Sequence, residues 1–288
     1  MNAKLRMPDP IVVTISSQVA YGHVGNSATV PALQSLGFEV LAIPTVLLAH
    51  HPGHGPAKGR MLPADELADL VQGIDAIGVL AKACGVLSGY LGLPGSAAVV
   101  ADAVTRLRHA KPDALYLCDP VIGDNGRVYV RDGVEHAIRS QLLPLADVVT
   151  PNQFELERLA GCSVRTLEQA VAAARSLMPL GPKVVVVTTL QHDGSAPDQV
   201  QALAVGAEQV WLATAARLQR VQNGAGDLLA ALLLGHLALG QALPDAFGRA
   251  VSAVQAVLAQ SAGEPEMRLS AARHHLQAPP DLVVQRLR

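Results

Sequence analysis

Residues 183–189 read KVVVVTT, a short run of β-branched residues with an apolar centre. Such a run predicts a strand that is buried on both faces, as in a parallel sheet covered by helices. Comparable apolar runs occur upstream at 11–16, 38–43, 85–89 and 114–120, and segments of helical length separate them. This alternation predicts a doubly wound α/β fold with a mostly parallel sheet flanked by helices.

The second half of the chain adds an antiparallel element. QALAV at 201–205 and VWLAT at 210–214 flank a polar turn and predict a late β-hairpin. Long helices are predicted at 226–240 and 244–261. Further helices are predicted at 26–36, 63–74, 96–109, 132–144 and 152–160, and a further strand at 146–152. The stretch 50–60, HHPGHGPAKGR, is rich in Gly, Pro and His and predicts a loop.

Composition limits the classes of function. The chain has 22 basic and 24 acidic residues, a net charge of −2 and no basic run, which argues against nucleic-acid binding. Its length suits one large domain spanning 1–288.

The three cysteines lie far apart, as expected of thiols in a reducing cytoplasm. Residues 1–10 lack the apolar centre of a signal peptide, and the most apolar stretch, 228–239, is too short to span a membrane. We therefore expect a cytoplasmic protein without a membrane partner.

The most informative motif is NGAGD at 223–227, which an apolar helix follows at once. Its two glycines remove side chains where a phosphate could approach the backbone, and a helix N-terminus favours an anion. Asp227 is placed there to take a proton from an attacking hydroxyl group. Alternatively, Asp227 is only the N-cap of the helix. The motif is neither a P-loop nor a dinucleotide-binding fingerprint, because the Lys-Ser/Thr pair and the following βαβ unit are both absent.

Two acidic motifs follow predicted strands. In CDPVIGD at 118–124, Asp119 and Asp124 leave a strand end five residues apart, which suits Mg²⁺ held mostly by water and substrate phosphates. The alternative is a turn aspartate and a solvated aspartate. In TPNQFE at 150–155, Asn152 and Glu155 fit a helix capping box, and Glu155 is also a candidate for a role beside the metal ion.

Two further segments are candidates for substrate contacts. SQVAYGHVGNS at 17–27 follows the first strand, where Ser17 either reaches a small ligand or simply ends the strand. The cluster of His50, His51 and His54 invites a zinc interpretation, but Pro52 and Gly53 break any helix that would aim the three rings together. A mobile lid loop with polar tips is the favoured interpretation of this cluster.

Eight short segments of the chain together carry a resemblance to a known protein family. They are SQVAYGHVGNS at 17–27, PTVLL at 44–48, LSGY at 87–90, CDPVIGD at 118–124, YV at 129–130, TPNQFELE at 150–157, VVVT at 185–188 and GAGDLLAA at 224–231. Combined, they resemble the pyridoxal kinases of the ribokinase-like superfamily over nearly the whole chain. The segments at 17–27 and 150–157 are the most specific to vitamin B6 kinases. PTVLL and DPVIGD are closer to the pyridoxine/pyridoxal/pyridoxamine kinase branch than to the pyridoxal-only branch.

The resemblance implies a kinase that uses ATP and Mg²⁺ to phosphorylate the 5′-hydroxymethyl group of a B6 vitamer in pyridoxal 5′-phosphate salvage. It makes Asp227 the general base and a substrate contact. The other roles that it implies are an anion hole of Gly224, Ala225 and Gly226; vitamer contacts from Ser17, Tyr90 and His51; ATP contacts from Asp119, Thr150, Thr188 and Asn223; and metal contacts from Asp124, Tyr129 and Glu155. Family members are usually homodimers, and the resemblance leaves the preferred vitamer and a monovalent-cation requirement open.

The chain departs from the family pattern in three places. Ala225 replaces the Thr that is usual in the GTGD motif, Asn223 stands where some relatives have Lys, and the lid at 50–60 differs from well-known relatives. Two alternatives stay open at this point. One is another ribokinase-like kinase, acting on hydroxymethylpyrimidine or a sugar. The other is a non-catalytic protein that binds a B6 vitamer or carries pyridoxal phosphate, although such a protein would not need the carboxylates of a metal site.

Overall fold

The protein is described by a computed structural model that covers residues 10–287. The strands are β1 (Ile11–Tyr21), β2 (Glu39–His50), β3 (Gly59–Met61), β4 (Ala83–Ser88), β5 (Leu115–Cys118), β6 (Gly123–Asp124), β7 (Arg127–Val128), β8 (Val148–Val149), β9 (Val184–Leu190), β10 (Gln199–Val205), β11 (Val210–Ala216) and β12 (Val284–Leu287). The helices are α1 (Asn26–Ser35), α2 (Ala64–Ala76), α3 (Ser96–Ala110), α4 (Val134–Ala137), α5 (Gln153–Ala160), α6 (Leu167–Leu177), α7 (Ala225–Ala238), α8 (Leu243–Gln260) and α9 (Arg273–Gln277).

Ten of these strands form one sheet in the order β12-β11-β10-β9-β8-β5-β4-β1-β2-β3. The six central strands, from β9 to β2, are parallel to their neighbours, whereas β3 at one edge and β10, β11 and β12 at the other pair in antiparallel fashion. The prediction of a doubly wound, mostly parallel sheet with a late antiparallel hairpin is therefore confirmed. Strands β6 and β7 form a separate small hairpin.

The core lies in two layers, one on each face of the sheet. Along β9, Val185 and Val187 pack into the layer that contains α2, α3, α5 and α6, whereas Val186 packs into the layer that contains α1, α7, α8 and α9. This is the expected result of a strand whose successive side chains point to opposite faces. Residues 228–236 of α7 are all buried, because this helix lies between the sheet and its neighbours α1 and α8.

The structure departs from the predictions mainly at element boundaries. β1 continues five residues beyond the predicted 11–16, through a bulge between Ser16 and Gln18. The stretch 50–60 is not all loop, because Gly59 and Arg60 belong to β3. A side chain at Gly59 would place its Cβ 2.0 Å from the Leu47 carbonyl oxygen, so only glycine lets these strands approach.

The predicted helix at 132–144 is another correction. Only Val134–Ala137 is regular α-helix, and it continues as a wider turn at 138–142 and a tighter one at 143–145. Pro144, which lacks a backbone N–H, lies in this irregular end. Within residues 10–287, no helix has both the length and the apolar character that crossing a bilayer requires. The signal-peptide prediction concerns residues 1–10, which lie outside the described range except for Pro10.

Candidate functional site

The predicted base lies beside the bulge in β1 and the end of β4. The hydroxyl of Ser16 accepts a hydrogen bond of 3.2 Å from the backbone N–H of Tyr90, which ties the bulge to the end of β4. A Cβ atom added to Gly89 would lie 2.6 Å from Ser16 Oγ and 3.7 Å from Asp227 Oδ1. The Asp227 carboxylate therefore lies against the β1 bulge and the end of β4, at the edge of the sheet where ligands of doubly wound folds bind.

The segment 222–226, here called the phosphate loop, turns directly into α7. Gly224 is the N-cap of α7 with φ +89°, and no side chain caps this helix. Asp227 is its third residue, so the interpretation of Asp227 as an N-cap is wrong. The first N–H groups of α7 are left for another partner, and the space beside Gly226 is open. This arrangement suits an anion.

Asp227 has the electrostatics of a base that works near neutral pH. Its side chain is only partly exposed, and burial raises its pKa to about 6. The backbone N–H of Gly25 acts in the opposite direction and favours the ionised form. A carboxylate with this pKa is ionised at pH 7 and is still basic enough to accept a proton.

Asp119, which directly follows β5, and Glu155, in the first turn of α5, form a buried acidic pair. Glu155 completes a capping box with Asn152 and accepts further hydrogen bonds from the N–H groups of Ile122 (2.9 Å) and Gly123 (3.4 Å). Asp119 accepts one of 3.0 Å from the Thr150 hydroxyl. Burial raises the pKa of both carboxyl groups, and mutual repulsion contributes to the shift of Asp119. Glu155 therefore does cap α5, but the capping box does not account for its hydrogen bonds to Ile122 and Gly123.

Asp124 and Tyr129 lie on or next to the small β6–β7 hairpin. Asp124 is exposed, and its carboxylate accepts hydrogen bonds from the backbone (2.7 Å) and side chain (3.0 Å) of Asn125. These contacts fit the alternative interpretation of Asp124 as a solvated aspartate. Tyr129 is 51% exposed. Burial of part of its ring and the nearby carboxylates of Glu155, Asp119, Asp124 and Asp227 raise the pKa of its phenol. The hairpin therefore places Tyr129 close to all the acidic groups of the site.

These acidic residues fit Mg²⁺ better than they fit a metal ion held by protein ligands alone. Within residues 10–287, no three His, Cys, Asp or Glu side chains converge to hold a metal directly. In the same range none of the four carboxylates forms an ion pair with Lys, Arg or His. Uncompensated buried carboxylates beside an open anion site match an ion that keeps several waters and binds substrate phosphates.

Ser17, one of the predicted vitamer contacts, lies beside the segment 22–25, here called the glycine loop. Ser17 is buried, and a Cβ atom on Gly25 would lie 2.4 Å from its hydroxyl oxygen, so Ser17 lies directly beneath this loop. Gly25 has φ +53°, which a residue with a side chain would adopt only with strain. Tyr90 is partly buried, and its carbonyl accepts a hydrogen bond from the Thr45 hydroxyl. Ser17, at the β1 bulge, and Tyr90, just beyond the end of β4, thus belong to neighbouring strands of the sheet.

The side chains of His51 and Asn223 both lie close to Gly53. Residues 51–54, here called the lid turn, form one tight turn in which His51 Nδ1 accepts a hydrogen bond of 3.0 Å from Gly53 N–H. A Cβ atom at Gly53 would lie 3.1 Å from the side-chain nitrogen of Asn223. The lid turn therefore lies against the phosphate loop. Thr188 lies within β9, where its N–H donates a hydrogen bond of 3.0 Å to the Pro151 carbonyl oxygen.

The motifs of the sequence do not include one functional candidate, Glu266. Its buried carboxylate accepts a hydrogen bond of 3.1 Å from His23 N–H, and Oε1 lies 2.5 Å from His54 Nε2. It follows the helix α8 in an irregular stretch, GEPEMR at 263–268, with no spacing that indicates burial. Only the folded chain reveals that this acid faces the lid turn and the glycine loop.

Known proteins share both the sequence and the architecture of this chain. The sequence profile of the phosphomethylpyrimidine kinase family matches residues 76–268. The pyridoxal kinase PdxY of Rubrobacter xylanophilus is 47% identical over 273 residues, which is 93% of this chain and 94% of that protein. A pyridoxine/pyridoxal/pyridoxamine kinase of Bordetella avium is 41% identical over 87% of this chain and 83% of its own length. Both branches are represented, so the assignment to one branch stays a prediction.

Solved structures agree with these sequence matches. The pyridoxal kinase from Leishmania donovani in complex with ADP and pyridoxamine has a TM-score of 0.91 and 31% identity, and the match covers 97% of this chain and all of that one. The architecture described above is therefore shared with that pyridoxal kinase.

Proposed function

Since this chain belongs to the pyridoxal kinases of the phosphomethylpyrimidine kinase family, we propose that its site phosphorylates the 5′-hydroxymethyl group of a vitamin B6 vitamer. The protein is an enzyme, a kinase that transfers a phosphoryl group from ATP to B6 vitamers. One observation supports the choice of reacting groups above all others. A carboxylate with a raised pKa, Asp227, lies in the first turn of a helix whose N-terminus has no side-chain cap.

Asp227 acts as the general base in this proposal. It accepts the proton of the vitamer's 5′-hydroxyl group as the oxygen attacks the terminal phosphorus of ATP, and the bond from that phosphorus to the β,γ-bridging oxygen breaks to release ADP. Its position against the β1 bulge and the end of β4 aims the base at the edge of the sheet where, in this proposal, the vitamer binds. Phosphoryl transfer requires little covalent chemistry from the protein, so positioning and charge stabilisation supply most of the catalysis.

The backbone of Gly224, Ala225 and Gly226 forms the anion hole. Its N–H groups face the charge that develops on the transferred phosphoryl group, and they are already oriented before the reaction begins. Ala225 has no hydroxyl group to add to this set. Because the N–H groups belong to the backbone, the hole does not depend on the Thr that is usual in the family.

The proposal assigns the remaining predicted residues to the vitamer, to ATP and to the metal ion. Ser17 and Tyr90 contact the vitamer ring beneath the lid turn with His51, and Asp119, Thr150, Thr188 and Asn223 contact ATP. Asp124, Tyr129 and Glu155 would hold Mg²⁺, which would neutralise phosphate charge. Glu155, and Asp119 beside the ATP phosphates, are suited to these roles because both are buried and have no cationic partner in residues 10–287.

We expect Glu155→Gln to raise the Mg²⁺ concentration needed for half-maximal activity by about 10-fold or more, and Asp124→Asn to raise it less. Each variant loses a negative charge beside the phosphates, but Asp124 is exposed whereas Glu155 is buried. The measurement is a Mg²⁺ titration of initial rates at saturating ATP and vitamer. Gln169→Ala is the control, because Gln169 completes a similar capping box on α6, outside the site. An unchanged titration with only a lower melting temperature would make Glu155 a helix cap alone.

Parallel assays test the proposed function directly. The purified protein is incubated with ATP, Mg²⁺ and one of pyridoxal, pyridoxine, pyridoxamine or hydroxymethylpyrimidine, and products are identified by mass spectrometry. We expect a 5′-phosphate from at least one vitamer. Hydroxymethylpyrimidine is included because the matching family profile is that of phosphomethylpyrimidine kinases. Phosphorylation of this compound alone would favour that alternative, and vitamer binding without any product would favour a non-catalytic binding protein.

Three further properties belong to the proposal. Residues 1–288 act as a single kinase domain, the protein works in the cytoplasm, and it forms a homodimer. The dispersed cysteines and the resemblance to a family of homodimers support these assignments. No role for nucleic acid or a membrane is included, since the charge distribution offers no basic surface run.

A further inference from the structure

The segment that joins α8 to α9 is packed against the phosphate loop. The side chain of Gln222 donates hydrogen bonds to the carbonyl groups of Ser261 (2.7 Å) and Glu264 (3.0 Å). The Ser261 hydroxyl in turn accepts one of 2.9 Å from Arg268 N–H, which closes the segment into a turn. Residues 261–268 thus have a fixed position relative to the N-terminus of α7.

Glu266 projects from this fixed segment towards two other parts of the chain. Its carboxylate accepts a hydrogen bond of 3.1 Å from the His23 N–H in the glycine loop and lies 2.5 Å from the His54 ring in the lid turn. A Cβ atom at Gly22 would lie 2.7 Å from Glu266 Oε2, so the glycine loop is in close contact with the carboxylate. Glu266 is 8% exposed.

The carboxylate therefore joins two segments of the proposed site, the glycine loop and the lid turn, and its own segment packs against a third, the phosphate loop. The lid turn touches Asn223 of the phosphate loop, and the glycine loop covers Ser17 and touches Gly224 through the His23 carbonyl. A hydrogen bond with a charged partner is stronger than one between neutral groups. Loss of the Glu266 carboxylate would therefore release the lid turn and the glycine loop at the same time.

We propose that Glu266 is a positioning residue that holds the lid turn and the glycine loop closed over the bound vitamer. This inference rests on the proposed kinase function. Glu266 does not touch the reacting atoms in this assignment, because its partners are the His54 ring and the His23 backbone. Its effect is on vitamer affinity and on the exclusion of water from the phosphates, which a closed lid provides.

The test compares Glu266→Ala, His54→Ala and the double variant, with Glu264→Gln as the matched control. Glu264 lies two residues away, and its exposed carboxylate pairs with Arg268 at 3.8 Å, so the substitution leaves the backbone bond to Gln222 in place. For Glu266→Ala we expect the KM for the vitamer to rise about 10-fold, the usual size of a lost hydrogen bond to a charged group. ATP hydrolysis without vitamer should rise as well, whereas kcat at saturating vitamer should change less than about 3-fold.

The double variant tests whether the two residues act through each other. If they do, it resembles Glu266→Ala alone, because His54 has already lost its partner. Multiplied effects would overturn the assignment, and so would a fall in kcat and melting temperature with unchanged KM. Should Glu266→Ala fail to fold, Glu266→Gln and His54→Ala carry the same test, and wild-type KM and ATP hydrolysis in both would refute the role. Absence of vitamer phosphorylation by the wild-type protein would instead refute the proposed function.

Discussion

Replacing Asp227 by Asn should lower kcat about 10²–10⁴-fold, the usual contribution of a general base. Asn keeps the size of the side chain and cannot accept the proton. The fold should persist, because burial raises the pKa of this carboxyl group and so already disfavours its charged form. We therefore expect a melting temperature no lower than that of the wild type, and vitamer affinity within a few-fold of it by calorimetry.

The pH profile gives an independent check on the same residue. Asp227 accepts a proton only when it is ionised, and its pKa is raised to about 6. The kcat/KM of the wild-type enzyme should therefore be level above this pH and fall as the pH drops below it, tending to ten-fold per unit. Asp227→Asn should lose this acid limb. Wild-type turnover in the variant would remove Asp227 from the mechanism.

Gly224→Ala should lower kcat/KM by about 10²-fold or more, since misplacement of reacting groups by about 1 Å can cost that much. Gly224 has φ +89°, and an added Cβ would lie 1.8 Å from the carbonyl oxygen of His23. That neighbour is a backbone atom and cannot swing aside. The phosphate loop or the glycine loop must therefore move, and with it the N–H groups of the anion hole.

A second glycine provides the matched control for this prediction. Gly73 lies in α2 at an ordinary helical φ, with nothing within 4 Å of an added Cβ. Gly73→Ala should keep wild-type kinetics and stabilise the fold by about 0.5–1 kcal/mol. Steady-state kinetics and thermal melts of both variants are the measurements. Normal kcat/KM in Gly224→Ala would show that the left-handed turn is not needed for catalysis.

The sequence predicts the parts of this fold and site that depend on local patterns. The apolar strands, the long helices and the Gly224–Asp227 motif each show their character within a few residues. The end of β1 does not, because SQVAY at 17–21 has no strict alternation, and pairing with β2 carries the strand onward. Glu266 shows no local signal either, since its partners are distant in sequence.

The small β6–β7 hairpin is only partly predictable from the sequence. Its strands have two residues each, too few for any periodicity. A signal was nonetheless present in Asn125-Gly126, a pair that favours two-residue hairpin turns because both residues adopt positive φ. The structure shows φ +49° and +76° at these positions. This turn brings Tyr129 towards the carboxylates of the site. The composition of the neighbouring residues gives no other indication that Tyr129 lies near these carboxylates.

The contacts of His23 have a consequence for biosynthesis. Its backbone touches Gly224 through the carbonyl oxygen and bonds Glu266, a residue 243 positions further along the chain, through the N–H. A ribosome makes the glycine loop first, Gly224 much later and Glu266 later still. The nascent chain can build the first strands of its sheet early, but the glycine loop has neither of these partners until then. A polypeptide that terminates before Gly224 therefore has a glycine loop without its partners, and it also lacks Asp227, the proposed general base.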